Sequence, residues 1–178
     1  MSGSTAKNET RRAAEAHAAP LKLEEFLPYR LNVVASLVSQ ALSRIYVDRY
    51  GIGVPEWRIL VTLGEFETMT AKAIGAHSHM HKTKVSRAVS ALERRKLIVR
   101  RENRADRREA FLSLTSAGRT IYEELAPGAL EFARQLFETI DPADRAAFER
   151  AVVCLTEQSR RLSDAAATET KPRDNEKP

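Results

Sequence analysis

The sequence has little of what several classes of protein require. A single cysteine, Cys154, among 178 residues excludes an internal disulfide. No apolar run approaches the roughly 18 residues of a membrane-spanning helix, and residues 1–19 lack the apolar core of a signal peptide. The sequence also has no glycine-rich phosphate loop, paired carboxylates or cysteine–histidine arrangement typical of catalysis. We therefore expect a cytoplasmic chain that is not an enzyme, needs no cofactor and has no membrane partner.

Positive charge, in contrast, is concentrated in one segment. Residues 82–108 contain eleven Lys and Arg against three acids, a net charge of +8, whereas the whole chain has a net charge of +5. The rest of the chain is therefore net acidic, and the local basicity is what a polyanion-binding patch requires. A solvated helix face is the alternative, but such faces usually mix both signs more evenly. We expect this segment to bind double-stranded DNA.

The segment from His81 to about Lys96 has the periodicity of an amphipathic helix. At about 100° per residue, one side becomes an apolar stripe of Val85, Ala88, Val89 and Leu92. The opposite side carries the hydrogen-bond donors that phosphates and base edges accept. The predicted DNA-binding residues of this helix are Lys82, Thr83, Lys84, Ser86, Arg87, Ser90 and Arg94.

Two strands are predicted after this helix, at residues 97–99 and 110–114. The polar linker between them is too long for a two-residue turn, so the pair predicts a hairpin wing. The wing tip carries Arg104 and Arg108, and narrow minor grooves attract an inserted arginine.

These motifs resemble a known family. The stretch TAKAIGAHSHMHKTKVSRAVSALERRKLIVR, followed by ADRREAFLSLTSAGR, is similar to the winged helix-turn-helix of the MarR (multiple antibiotic resistance regulator) family. The resemblance implies that Arg108 enters the minor groove, and that Asp106 ties the wing back to an arginine of the recognition helix. The closing Leu-Thr-x-x-Gly pattern matches Leu114, Thr115 and Gly118.

The sequence departs from the family pattern at two positions. His81 stands where a capping Asp is common, which predicts a weaker N-cap for the recognition helix. Lys96 stands where a Gly is common before the first wing strand, which predicts a non-glycine residue in a strained turn.

The predicted fold class is mainly α with a small β-hairpin wing, a winged helix-turn-helix with N- and C-terminal dimerisation helices. One domain is expected at residues 21–163, with the winged helix-turn-helix at about 55–114 and dimerisation helices at about 21–50 and 116–163. Disordered tails are expected at 1–20 and 164–178, where composition is polar and aperiodic. A kink or local break is expected at Pro127-Gly128.

The resemblance places an effector between the dimerisation helices and the winged domain. The candidate ligand-binding residues are Arg30, Arg44, Tyr46, Tyr50, Trp57 and Arg58. Aromatic rings with arginines suit a carboxylated aromatic molecule or a CoA thioester. The alternative is that the aromatic residues belong to the ordinary core.

Two further residue types raise a question of chemistry. His77, His79 and His81 alternate, a spacing that converges on a metal only in a strand, and they lie in the turn between two helices. We therefore expect no metal site. Cys154 has apolar sequence neighbours, so a packed structural cysteine is favoured over a redox sensor.

The sequence thus predicts a homodimeric, sequence-specific transcription regulator. We expect a repressor that binds an inverted-repeat operator and is released by a small-molecule effector. The alternative is a non-specific architectural DNA-binding protein, although the long first helix and the C-terminal helices exceed what such a module needs.

Overall fold

The structure, a computed structural model, describes residues 20–102 and 109–169. The described elements are α1 (Leu27–Tyr50), α2 (Val54–Phe66), β1 (Thr68–Thr70), α3 (Ala71–Ser78), α4 (Lys82–Arg94), β2 (Ile98–Glu102), β3 (Ala110–Leu114), α5 (Ser116–Phe137) and α6 (Pro142–Glu169). They form two compact units whose boundary falls between Leu125 and Ala126, within α5. The mainly helical fold class with a small antiparallel sheet is confirmed, whereas the division into two units was not predicted.

The first helix begins and ends where its sequence dictates. Pro28 occupies the first helical turn, where its missing N–H costs no hydrogen bond. Gly51 ends α1 with a left-handed φ of 57°, and its N–H donates to the Val47 carbonyl at 2.8 Å. The start predicted at about residue 21 is too early, because the helix begins only at Leu27.

The core of the first unit is built around α2. Gly53 precedes this helix, and Pro55 lies in its first turn, where its missing N–H costs no hydrogen bond. Five residues of α2 are buried, namely Trp57, Ile59, Leu60, Thr62 and Leu63. The Trp57 ring stacks on Tyr46 of α1 with a centroid separation of 4.9 Å and an interplanar angle of 13°. Burying each large apolar side chain contributes roughly 1.5–3 kcal/mol.

The sheet has three strands in the order β1-β3-β2, all antiparallel. The two wing strands are confirmed, and β2 extends to Glu102 rather than ending at Val99. Strand β1 was not predicted, because three residues are too few to show a period of two. Its Thr70 lies opposite Phe111 of β3, so the short strand fixes the start of α3 to the base of the wing.

Two predictions about the last two helices are corrected by the structure. Pro127 lies inside α5, which continues through it, so a local break is excluded and the alternative, a kink, stays a prediction. Asp141 caps α6, because its Oδ1 accepts the Ala143 N–H at 2.8 Å. Helix α6 continues to Glu169, however, so the tail predicted to be disordered from Asp164 is helical for its first six residues.

The prediction for Cys154 is also corrected. It is exposed on α6, and every described residue from 142 to 166 is exposed in a single copy of the chain. Apolar neighbours in the sequence did not imply burial here, because no residue between 126 and 169 covers this part of the helix. None of the described helices is both long enough and apolar enough to span a membrane.

Candidate nucleic-acid interface

Helices α3 and α4 form the helix-turn-helix, and each has a side-chain cap. The Thr70 hydroxyl caps α3, because it accepts the Ala73 N–H at 3.1 Å. The turn contains His79 with a φ of 52°, and the Met80 N–H closes it on the Gly75 carbonyl at 3.0 Å. His81 does cap α4, because its Nδ1 accepts the Thr83 N–H at 3.3 Å. This distance is long for a hydrogen bond, as expected of a weaker cap.

Helix α4 has the two faces that its sequence predicts. Val85, Ala88, Val89 and Leu92 are all buried. Every predicted DNA-binding residue of the helix is exposed, that is Lys82, Thr83, Lys84, Ser86, Arg87, Ser90 and Arg94. One face of the helix therefore packs on the core, and the other presents amino, guanidinium and hydroxyl donors to solvent.

The turn that leaves α4 is held by the first turn of α5. Lys96 adopts a φ of 57°, so the strained turn predicted at this position is confirmed. The Thr115 hydroxyl donates to the Lys96 carbonyl at 2.7 Å and accepts the Gly118 N–H at 3.1 Å. A Cβ at Gly118 would lie 2.0 Å from the Leu97 carbonyl oxygen, so only glycine fits there. The Leu-Thr-x-x-Gly pattern therefore fixes the exit of the recognition helix.

Ion pairs fasten the wing to the helix-turn-helix. Arg100 of β2 binds Glu93 of α4 through two hydrogen bonds, Nε to Oε1 at 2.9 Å and Nη2 to Oε2 at 3.1 Å. These hydrogen bonds raise the pKa of Arg100. Lys72 of α3 lies 3.6 Å from Glu109 at the base of β3. Neither pair was predicted, since sequence places these residues in one basic segment without showing which of them face an acid.

The wing tip lies outside the described residues. Arg104, Asp106 and Arg108 all fall in the gap between 102 and 109. Their assignment to the minor groove stays a prediction.

The candidate ligand-binding residues do not form one cluster. Tyr46 and Trp57 are only 1% and 7% exposed, as the ordinary-core alternative expected. Tyr50 donates its hydroxyl proton to Glu124 of α5. The arginines Arg30, Arg44 and Arg58 are all exposed. Arg30 and Arg44 lie about 21 Å apart along α1, at 1.5 Å per residue.

A cleft lies elsewhere in the first unit, between α3, α4 and the base of the wing. Its volume is about 570 Å³, and its lining includes Lys72, Met80, Ser86 and Arg100. Lys82 and Ser86 line this cleft as well as belonging to the outward face of α4.

The three histidines do not converge in the structure. His77 packs its ring edge-on against Phe66, with centroids 5.0 Å apart, and His81 caps α4. Across residues 20–102 and 109–169, no three or more His, Cys, Asp or Glu are grouped as metal ligands would be.

A helix-turn-helix followed by a hairpin wing, with a cationic outward face, defines a winged helix-turn-helix DNA-binding protein. Residues 50–109 match the model of the MarR family. A curated relative in Bacillus subtilis (strain 168), the uncharacterised HTH-type transcriptional regulator YwoH, is 26% identical over 122 residues, covering 68% of this chain and 88% of the relative. Residues 50–109 thus match the MarR family, and the chain is similar to transcriptional regulators over most of its length.

Solved structures share the fold. Sco3205, a MarR family transcriptional regulator from Streptomyces coelicolor solved in complex with DNA, has a TM-score of 0.69 at 24% identity, covering 79% of this chain and 90% of its own. BpsR of Bordetella bronchiseptica, whose DNA binding is regulated by 6-hydroxynicotinic acid, has a TM-score of 0.69 at 20% identity, covering 78% of this chain and 98% of its own.

Proposed function

We propose that the protein is a homodimeric repressor that reads an inverted-repeat DNA site and releases it when a small molecule binds. The observation that carries this proposal is the separation of the two faces of α4. The seven residues of α4 that are predicted to bind DNA are all exposed, while the apolar stripe on the opposite side of the helix is buried. A helix held in this way can enter a major groove without losing its own packing.

The roles of individual residues within this interface follow from their positions. Arg87 lies in the middle of the exposed face, where a guanidinium can bind guanine through two hydrogen bonds. Lys82 lies at the start of α4, where an ammonium suits a phosphate. In the wing we assign Arg108 to the minor groove and Asp106 to holding the wing in place.

Exposed apolar side chains support a dimer. In α1, Val34 and Leu37 are 55% and 60% exposed, and in α6, Val153 and Leu162 are 58% and 61% exposed. Apolar surface of this extent on a single chain is typical of an interface, and a two-fold dimer would cover the same side chains on both copies. The two recognition helices would then meet major grooves about 34 Å apart. A monomeric mass at micromolar concentration would contradict this.

Selection of bound duplexes from a random library tests the proposed function. The expected result is an enriched inverted repeat, protected with dyad symmetry in a footprint. Its affinity at fixed salt should exceed that of a random duplex of equal length by roughly 10³ or more. The alternative, an architectural DNA-binding protein, predicts no enriched sequence and nearly equal affinities. Loss of repression of a reporter on mutating the repeat would then distinguish a repressor from an activator.

An aromatic acid, or its CoA thioester, is the effector class that we propose. The similar protein BpsR responds to an aromatic acid, and an arginine on α1 or α2 would suit such a carboxylate. Thermal-shift measurements with aromatic acids and their CoA thioesters test the proposal, because a ligand at 100 times its Kd stabilises the folded state by about 2.7 kcal/mol. A true effector must also lower the affinity for the selected duplex.

A further inference from the structure

Among residues 20–102 and 109–125, helix α1 packs on the rest of its unit mainly towards its C-terminal end. Residues 27–37 are all exposed, and Tyr46 is the one buried residue of the helix. The stack of Tyr46 on Trp57 fixes one point of α1 on α2. Contacts within the last two turns of α1 therefore help to set the direction of this long helix relative to α4.

One of these contacts comes from the end of the recognition helix. Arg95, the C-cap residue of α4, donates Nη2 to the Tyr50 carbonyl at 2.7 Å and Nη1 to the Gly51 carbonyl at 3.3 Å. Both carbonyls stand at the end of α1, where the helix dipole is negative and attracts a cation. The planar guanidinium can bind two neighbouring carbonyls at once, a geometry that a lysine ammonium cannot reproduce.

A second contact holds the same turn from the other side. Glu124 of α5 accepts hydrogen bonds from the Tyr50 hydroxyl and from Arg49 Nη2, the latter at 2.9 Å. The bond to Glu124 raises the pKa of Tyr50, because it stabilises the protonated phenol. Tyr50 therefore bonds to α4 through its carbonyl and to α5 through its side chain.

We propose that Arg95 is a positioning residue for DNA binding, which fixes the exit of the recognition helix to the end of α1 rather than binding phosphate. This inference rests on the proposed function. If α1 belongs to the dimer interface, the clamp transmits the geometry of the interface to α4. Recognition side chains must be held to within roughly 0.5 Å and 10–20° of their binding geometry, so loosening the clamp should affect sequence reading most.

The test compares Arg95→Ala and Arg95→Lys with Arg94→Ala, which removes the same charge from the neighbouring exposed residue. Each variant is titrated, over a range of salt concentrations, with the duplex selected by the wild type and with a random duplex of equal length. Both Arg95 variants should lose about tenfold or more in affinity for the selected duplex, with little change for the random duplex and an unchanged salt slope. Arg94→Ala should weaken both duplexes and lower the slope by about one.

Amide hydrogen exchange of the free protein gives a readout that does not involve DNA. Exchange at Gly51 and Ile52 should be faster in both Arg95 variants than in Arg94→Ala. If Arg95→Ala fails to fold, the comparison of Arg95→Lys, which keeps the charge, with Arg94→Ala is sufficient for the test.

Several results would overturn the inference. Wild-type affinity in Arg95→Lys, with a salt slope about one lower in Arg95→Ala, would identify Arg95 as a phosphate contact. Unchanged exchange at Gly51 and Ile52 would mean that the clamp does not hold the turn. An unaltered preference of both Arg95 variants for the selected duplex would refute the positioning role but not the proposed function. If the wild-type protein selects no sequence, the proposed function is refuted as well.

Discussion

Replacing Gly118 by alanine should destabilise the protein more than any exposed change in the same helix. The added Cβ would lie 2.0 Å from the Leu97 carbonyl oxygen and 2.9 Å from its carbon, and both atoms are backbone. Neither can move away as a flexible side chain would. The first turn of α5 must therefore shift by about an ångström or more from the turn that follows α4, to restore a normal contact.

The size of the effect follows from the contacts at this point. Overpacking against a rigid partner costs roughly 1–3 kcal/mol. The shift would also strain two hydrogen bonds of Thr115. Its N–H donates to the Leu97 carbonyl at 3.0 Å, and its hydroxyl donates to the Lys96 carbonyl. Each of these hydrogen bonds contributes about 1 kcal/mol. Against these costs, alanine favours the helical conformation over glycine by about 1 kcal/mol. The net loss should be about 2–4 kcal/mol.

Thermal unfolding followed by far-UV circular dichroism, at equal protein concentration, measures this loss. At about 2–4 °C per kcal/mol for a chain of this size, Tm should fall by roughly 4–16 °C. Ser116→Ala, an exposed change in the same turn, is the control and should leave Tm nearly unchanged. A fall of less than about 2 °C for Gly118→Ala would show that the turn yields easily, and would refute the reasoning that glycine is required there.

Two further changes test the recognition helix and the wing. Lys96→Gly should raise the free energy of unfolding by about 1 kcal/mol, because glycine adopts a positive φ without strain. The control, Lys96→Ala, removes the same charge but keeps the strained backbone. Equal stability of the two variants would contradict this explanation. Glu93→Gln weakens the hold on Arg100 and should steepen the salt dependence of non-specific DNA binding by up to about one unit of slope. Glu102→Gln changes the charge equally on β2, and an equal effect there would show that net charge, not release of Arg100, is responsible.

The recognition helix could be predicted from sequence because its signal is local. A period of 3.6 residues placed Val85 and Leu92 on one side and Arg87 on the other, and burial follows that division. The caps by Thr70 and Asp141 were also predictable, since a cap depends on its own residue and the next turn.

What sequence did not predict depends on partners distant in the chain. Strand β1 is stabilised by pairing with β3, about 40 residues later, and its three residues carry no periodic signal of their own. Arg94 and Arg95 are adjacent arginines that the sequence does not distinguish. Only the fold shows that Arg95 binds the carbonyls that end α1.

Burial was the property that sequence predicted least well. Tyr46 and Trp57 suited a ligand pocket or a core equally well, and only their stacking shows that they pack on each other. Cys154 lies among apolar neighbours, but α6 leaves it exposed. The length of α6 could have been predicted from the sequence, because the Ala-rich segment before Glu169 has high helix propensity.

The central claim is that the outward face of α4 reads base sequence, and the affinity ratio of selected to random duplex measures it most directly. Arg87→Ala should lower this ratio by the equivalent of roughly 1–3 kcal/mol and relax the preference at one base pair in each half-site. Lys82→Ala should weaken both duplexes alike and reduce the salt slope by about one, leaving the ratio intact. If Arg87→Ala keeps the wild-type ratio, the exposed face of α4 does not read sequence, and the account is wrong.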